Sequence, residues 1–559
     1  MLKIRNLKQK LKLVVGNKHF FPLAVLTVFV FSIYLSTMPP GFTWEHWGYD
    51  AGDLISCVYT WGIPHPSGTP LYVLVGQIFR YLPFLSVPAV KFNFMSVFFA
   101  WAALIVLYTA CFGLTQRRAP SFGAVFLFAF SQLFWEQSII AEVLTLNLFL
   151  ISLVFCLLIW WEKTENNRLL YIALFFFALA ITNHLSSITI APAILFLVWS
   201  NKPQFLTSPR KLGFAFLVFV LGLLPFVYLP IRASMQPSLN WGDPSNLERF
   251  INHVTAKEYQ EFLFFKDQRL VLDNVFRFLS SLWRNFSPVG LLLAVVGLIY
   301  GTKDTVRDFL IFAILFQAVI VFNYNIVNIE TYYLPVFAVF VLFVSVGILD
   351  VLTLVRLKID QVKNWGRRIF LDLNLFGSEL LLSFRQFAYL AAAFLLAAWP
   401  VVLIFLNYEE VDLSSEYTAY NYGRKAFSVL EPNAIVLTEG DNYTLGLTYF
   451  RYVVFPERKD VAVINEALFY KLGWLLKQTK RNWPDLYYPD TETVDDEDAA
   501  LEALLDFIEG NMEERPIYLA AGDPPPQEEF TQRSYFADHF VIKSTGPLFK
   551  FVGKKEAGE

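Results

Sequence analysis

The chain has 559 residues, of which 56% are hydrophobic and only 17% charged, and its mean hydropathy is +0.46. A soluble domain carries about 25% charged residues, so a soluble enzyme, a nucleic-acid binder and a disordered chain are excluded, and the chain reads as a polytopic membrane protein. The formal charge of −3 sums two opposites: residues 408–559 hold 15 Lys/Arg against 28 Asp/Glu, while the first 407 hold 30 against 20, which suggests two environments.

In chain order, a basic N-terminus (Lys3, Arg5, Lys8, Lys10, Lys12, Lys18) leads into an apolar run at 20–38. Met38-Pro39-Pro40 follows instead of a small-residue cleavage site, so this run is a retained signal-anchor helix. Windows able to cross about 30 Å of hydrocarbon then recur, giving about eleven spans in all. They fall near 20–38, 89–114, 119–137, 141–161, 168–183, 185–200, 212–233, 287–301, 308–327, 331–354 and 386–407. A further stretch at 69–86 is interrupted by Pro70 and Pro83 and reads as interfacial or re-entrant.

Basic residues fix the sidedness. With the N-terminus cytoplasmic, the N-terminal cluster and the inner loops hold 21 of the 30 Lys/Arg in residues 1–407. The short outer loops near 135–141, 182–186 and 328–330 hold none. An odd number of spans places the acidic C-terminal region outside. Two outer segments, 39–88 and 234–286, are long and rich in Trp, Tyr, Pro and charge. The expected division is therefore a transmembrane domain over 1–407 and an extracytoplasmic domain over 408–559.

In that tail, Ala434–Thr438, Val461–Asn465 and Ile517–Ala520 have the pattern of short buried strands. Helical stretches near 443–453, 467–480 and 498–510 alternate with them, which predicts a small α/β domain. Asp495-Asp496-Glu497-Asp498 reads as a solvated loop or helix start. Cys57, Cys111 and Cys156 imply no disulfide framework.

Polar residues beside a membrane are costly, and here they gather at the outer ends of the spans. The first outer loop holds Asp50 and Asp53 within Gly48-Tyr49-Asp50-Ala51-Gly52-Asp53, then His65 within His65-Pro66-Ser67-Gly68. Glu136 and Glu142, Asn183 and His184, Arg232, Asn240-Trp241-Gly242-Asp243 and Glu330 follow. One of the aspartates can take a proton from an acceptor hydroxyl while the other positions it or holds a cation. Gly52 permits a tight turn that brings both to one point. The plainer alternative is two solvated aspartates. His65 can face a phosphate or cap its turn, Glu142 can line a cavity or sit at a helix start, and Arg232 can pair with a lipid phosphate or snorkel. Asp441 and Asn442 follow a strand end, where ligands bind in α/β sheets, or serve as turn and cap. The tail contains no phosphate loop, zinc spacing or serine-hydrolase elbow.

These strings, in this order, resemble a family of GT-C membrane glycosyltransferases, long of unknown function, that includes an endoplasmic-reticulum protein O-mannosyltransferase acting on plexin-type domains. The likeness runs from the first loop through Ala141-Glu142-Val143, Asn183-His184, Tyr228-Leu229-Pro230-Ile231-Arg232 and Asn240-Trp241-Gly242-Asp243. In the tail, Asn421-Tyr422-Gly423-Arg424 and Gly440-Asp441-Asn442 are similar to bacterial members. Asp53 stands where the family favours Glu, and Ser67 where it favours Pro.

The resemblance implies transfer of a sugar, mannose in the first instance, from a polyprenyl-phosphate donor to a protein or glycan hydroxyl on the outer side, with inversion. It implies Asp50 as general base, Asp53 positioning the acceptor or a cation, His65 and Arg232 at phosphate, and Glu142 and His184 lining the cavity. It leans against a required metal, with a divalent ion as the alternative, and it implies a bacterial cell membrane with membrane lipids as partners and no nucleic acid. The competing classes are a transporter or flippase of lipid-linked sugars, which would show pseudo-symmetric halves, and a non-catalytic envelope scaffold.

Overall fold

The structure is a computed structural model, and it describes residues 19–264, 268–301, 304–361, 370–375, 378–466, 472–490, 496–521, 536 and 539–552. The basic N-terminal cluster, Lys303, part of the 356–385 basic run and Asp495 lie outside these residues. Among the described residues, six helices are long and apolar enough to cross a membrane: Phe20–Thr37, Pro88–Thr115, Leu144–Thr164, Arg269–Tyr300, Thr305–Phe322 and Ile329–Leu354. A seventh is broken, because Pro209–Gly222 and Leu224–Ser234 meet at 47°. Pro225 sits at that break and cannot continue the backbone ladder.

Of the about eleven crossings expected, six, or seven with the bent pair, meet that test of length and apolarity among the described residues. Each expected window does fall on a helix, but helix length is not uniform. Arg118–Ala129 has 12 residues and ends at Phe130, where the chain turns into a separate helix, Gln132–Ile139. Asn167–Asn183 has 17 residues, about 25 Å at 1.5 Å per residue. Leu185–Asn201 is likewise a short apolar helix. The window at 386–407 falls within the helix Phe384–Val411. The outer segment 234–286 is also shorter than expected, since a helix starting at Gln268 runs to Tyr300 with a kink at Ser287. Pro288 restricts the residue before it to extended ψ, and Ser287 has ψ 168°.

The first outer segment is not a loose loop. A short turn over Glu45–Asp50 leads into the helix Ala51–Thr60, and after a nine-residue connection the helix Pro70–Arg80 follows. At 11 residues the latter is too short to span the bilayer.

A hairpin of β1 (Phe370–Leu375) and β2 (Ser378–Ser383) precedes the tail. The tail sheet contains β3 (Ile435–Thr438), β4 (Ala462–Asn465), β5 (Ile517–Ala520), β6 (Val541–Ser544) and β7 (Phe549–Val552), in the order β4-β3-β5-β7-β6. The three expected strands are parallel, and the two unexpected ones add an antiparallel edge. The sheet is therefore mixed. Asp496 caps the helix Glu497–Met512 by accepting from the Ala499 amide at 3.0 Å.

Alternate residues of a strand face opposite ways, and this divides the sheet between two cores. Ile435, Leu437, Ile464 and Leu519 pack with Leu476, Leu504 and Phe507 of the tail helices. Val436, Val461, Tyr518 and Ala520 join the core that runs through the membrane helices. The tail thus shares buried surface with the rest of the molecule.

A tight junction between the tail and the first outer segment lies at Gly52. The helix Gly440–Tyr449 crosses the helix Ala51–Thr60 so closely that a Cβ on Gly52 would overlap the Leu445 carbonyl. The expected role of this glycine in a tight turn is replaced by close helix contact. Gly52→Ala is expected to destabilise the chain by about 1–3 kcal/mol and loosen the tail. A lower Tm and faster proteolysis near residue 440 would be the readouts, and an unchanged Tm would contradict the close approach.

Candidate active site

Asp50 is the N-cap of the helix Ala51–Thr60, and Asp53 lies in its first turn. Three residues apart, they share a helix face, so the helix itself places both carboxylates together. Asp53 is buried and Asp50 half-buried. His65 arrives on the connection that follows. That connection is held by main-chain bonds from the Ile63 amide to the Leu239 carbonyl at 2.9 Å and from the Trp241 amide to the Ile63 carbonyl at 3.2 Å.

Asp53 Oδ2 accepts two hydrogen bonds from the same residue, the His65 amide at 2.9 Å and the His65 ring Nδ1 at 2.7 Å. Its Oδ1 accepts from Cys57 Sγ at 3.4 Å. Both oxygens are engaged, so Asp53 holds His65 more directly than it could hold an acceptor or a cation. Burial disfavours the His65 cation, but the Asp53 bond and the charges of Asp50, Asp53 and Glu142 outweigh it and raise the pKa to about 9. The ring is charged at neutral pH, with Nδ1 bound and Nε2 free of protein partners among the described residues.

Asp50 is pushed up to about 6, mainly by burial, with the Asp441 and Asp53 charges adding and the His65 cation opposing. Glu142 is raised well above the carboxylate range by burial and then by the Asp50 charge. Its Oε2 accepts from the Val143 amide at 3.2 Å, and its buried Oε1 has no partner. His184 donates to or accepts from Ser186 through Nδ1 at 2.7 Å, and burial lowers its pKa to about 4. Asp441 reaches the same field from the tail, within electrostatic range of Asp50, Asp53 and His65.

Six of the expected residues therefore converge: Asp50, Asp53, His65, Glu142, His184 and Asp441. The others make contacts elsewhere. Arg232 Nε donates to the Trp61 carbonyl at 2.8 Å, beside Tyr228, whose hydroxyl donates to the Gly62 carbonyl at 2.8 Å. Asn183 donates to the Val143 carbonyl at 2.9 Å, bracing the Glu142 segment. Asn240 is buried and donates its side-chain amide to Asp243 at 3.1 Å, while Asp243 pairs with Arg249. Trp241 donates to Glu258 at 3.2 Å, and its ring lies 6.1 Å from the His65 ring. The Asn442 carbonyl accepts from the Trp44 indole at 3.1 Å.

Sequence reading missed three tyrosines. Tyr49, Tyr259 and Tyr332 lie within electrostatic reach of Asp50, and the Tyr332 ring is 5.0 Å from His184. Tyr49 stands inside the first-loop string, but nothing in the pattern marks Tyr259 or Tyr332. Glu136 and Glu330 lie apart, on a second cavity of about 450 Å³ shared with Trp44, His46, Trp47 and Arg277. Among the described residues, no three His, Cys, Asp or Glu side chains are grouped to hold a metal ion.

Residues 50–207 match the family model described as the N-terminal domain of protein O-mannosyl-transferase TMEM260. The chain is 24% identical over 576 aligned residues to the protein O-mannosyl-transferase tmem260 of Dictyostelium discoideum, covering 94% of this chain and 66% of that protein. It is 25% identical over 514 residues to the Mus musculus protein O-mannosyl-transferase TMEM260, covering 87% and 69%. It thus spans about two thirds of the length of these relatives. The crystal structure of ArnT from Cupriavidus metallidurans bound to undecaprenyl phosphate superposes with a TM-score of 0.56 at 8% identity, over 96% of this chain and 98% of ArnT. The chain is similar to TMEM260-type protein O-mannosyltransferases along most of its length, and it has an ArnT-like membrane fold.

If Asp53 keeps His65 charged, Asp53→Asn removes both the strongest acceptor and a nearby charge. The His65 pKa is then expected to fall from about 9 to at or below its ordinary 6.5. Histidine-selective NMR across a pH titration measures this directly, and a pKa that stays near 9 would contradict the clamp.

Proposed function

We propose that this TMEM260-like chain transfers a sugar, mannose by analogy with its relatives, from a polyprenyl-phosphate donor to a Ser or Thr hydroxyl of a protein, on the extracytoplasmic side and with inversion. The observation that carries this reading is the pairing of a half-exposed Asp50 carboxylate with a His65 imidazolium fixed by Asp53. The O-mannosyl-transferase relatives support the reaction class. The undecaprenyl phosphate bound to ArnT supports the carrier class, and the distribution of basic residues supports the side.

Asp50 takes the proton of the acceptor hydroxyl as that oxygen bonds to the anomeric carbon from the face opposite the phosphate. The bond from the anomeric carbon to the phosphate oxygen breaks, and its electron pair leaves on the phosphate. A single displacement inverts the configuration. The His65 cation faces the departing phosphate and neutralises the charge that grows there. Asp53 is a positioning residue that fixes the ring and its charge. Glu142, whose buried Oε1 has no partner among the described residues, is suited to hydrogen-bond a sugar hydroxyl. Tyr49, Tyr259 and Tyr332 offer phenols and ring faces to the sugar. Arg232 and Tyr228 hold the loop that carries His65.

The pH dependence follows from the two titrations. Transfer needs Asp50 without its proton and His65 with one. With the pKa values at about 6 and about 9, kcat/KM should rise through pH 6, stay level, and fall above pH 9. A profile that is flat across both limbs would count against these roles.

Purified chain given a polyprenyl-phosphate-linked labelled mannose and a Ser/Thr peptide should label the peptide. Asp50→Asn should lower turnover by about 10²- to 10⁴-fold with yield and Tm unchanged. Full transfer by that variant would remove Asp50 as the base. Absence of any labelled glycan with the unaltered chain would overturn the reading, and uptake or flipping of the lipid-linked sugar by Asp50→Asn would favour a transporter.

A further inference from the structure

The second outer segment and the tail enclose a cavity of about 500 Å³ beside the loop that carries His65. Its lining includes Arg249, His253, Lys257, Trp474 and Lys477. Among the described residues, the indole N–H of Trp474 is buried without a partner, while His253, only 3% exposed, has the Pro64 backbone beside its ring. A buried N–H without an acceptor is unfavourable, and the Trp474 indole left in that state at this cavity points to an oxygen atom of a ligand.

His253 is held firmly. Gly68 and Gly242, both with positive φ, wrap its ring so tightly that a Cβ on either would lie 2.8 Å from a ring nitrogen. Burial keeps the ring neutral, with its pKa lowered to about 3, so it adds no charge to the cavity wall. Lys257 and Lys477 are exposed and add positive charge, while Arg249 already pairs with Asp243. The acidic lining residue Glu258 is engaged by the Trp241 indole. The chemistry suits an oxyanion.

The helix Leu247–Val254 indicates where that oxyanion comes from. Arg249 and His253, four residues apart, share the face toward the cavity. Leu247 and Ile251 lie on the opposite face, 74% and 49% exposed. A helix with one apolar exposed face and cations on the other lies in a membrane interface. We propose that this cavity is a second phosphate site, which takes the headgroup phosphate of an anionic bilayer lipid and is separate from the place that His65 offers the donor. Trp241 marks the separation, with its ring 6.1 Å from His65 and 5.2 Å from Trp474. A lipid seated there would join the helix Leu247–Val254 to the tail helix Gly473–Asn482 and so couple membrane charge to a wall of the catalytic cleft.

Native mass spectrometry of the detergent-purified full chain, offered phosphatidylglycerol, phosphatidylcholine or polyprenyl phosphate in turn, tests this. Phosphatidylglycerol should be retained in preference to phosphatidylcholine. Lys257→Gln and Lys477→Gln should each lower its retention about fivefold, and Trp474→Phe should lower it as well. His65→Ala should leave phosphatidylglycerol retention unchanged while lowering that of polyprenyl phosphate. A Tm equal to that of the unaltered chain confirms that each variant is folded. The proposal is overturned if phosphatidylglycerol shows no advantage, if the lysine and tryptophan variants retain it fully, if polyprenyl phosphate is the lipid those variants lose, or if a soluble acidic peptide displaces phosphatidylglycerol. Loss of sugar transfer with lipid retention intact would count against the catalytic reading alone.

Discussion

The site is organised around one buried carboxylate with two donors from one residue. A buried charge is tolerated only when it is paired and hydrogen-bonded, and Asp53 meets that condition by taking both the amide and the ring Nδ1 of His65. Bonding the amide fixes where the loop passes. Bonding the ring fixes which way the imidazole turns and keeps it charged. The surrounding contacts serve the same loop: Tyr228 and Arg232 hold the carbonyls of Gly62 and Trp61, and Ile63 is bonded to the backbone of Leu239 and Trp241. Without Asp53 these fixtures would still place the backbone, but the charge opposite Asp50 would not be assured.

The fold supplies this arrangement from distant parts of the chain. Helix ends bring Glu142 and His184 to one end of the bundle, and the outer segments bring Asp50, His65 and Tyr259. The tail contributes Asp441 at the start of a helix that presses on Gly52. Because one face of the tail sheet belongs to the same core as the membrane helices, the tail is a wall of the site. A shared scaffold alone does not specify a reaction.

Much of this could be read from the residues, and the exceptions have physical causes. Apolar windows located the long helices because hydrocarbon demands apolar surface, yet hydropathy does not register a break such as Ser131 or Pro225, so short and bent helices were not told apart from long straight ones. The parallel strands β3, β4 and β5 were visible because both their faces are largely buried and most of their residues are apolar. β6 was not, because Val541–Ser544 is half-exposed and carries Lys543 and Ser544. Asp50, Asp53 and His65 stood out as polar residues beside a membrane, whereas the pairing of Asp53 with His65 depends on a loop path that local sequence does not encode. Gly52 was noticed for the wrong reason, since its neighbour Leu445 is almost four hundred residues away. His253 and Tyr259 sit in a polar segment where one more histidine or tyrosine carries no signal.

The most direct test is a structure of the full chain with a polyprenyl phosphate bound. A phosphate oxygen should lie at a charge-assisted hydrogen-bond distance, about 2.7–2.9 Å, from His65 Nε2, with the Asp50 carboxylate across the sugar pocket and out of reach of the phosphate. A phosphate seated away from His65, or one in contact with Asp50, would contradict the account.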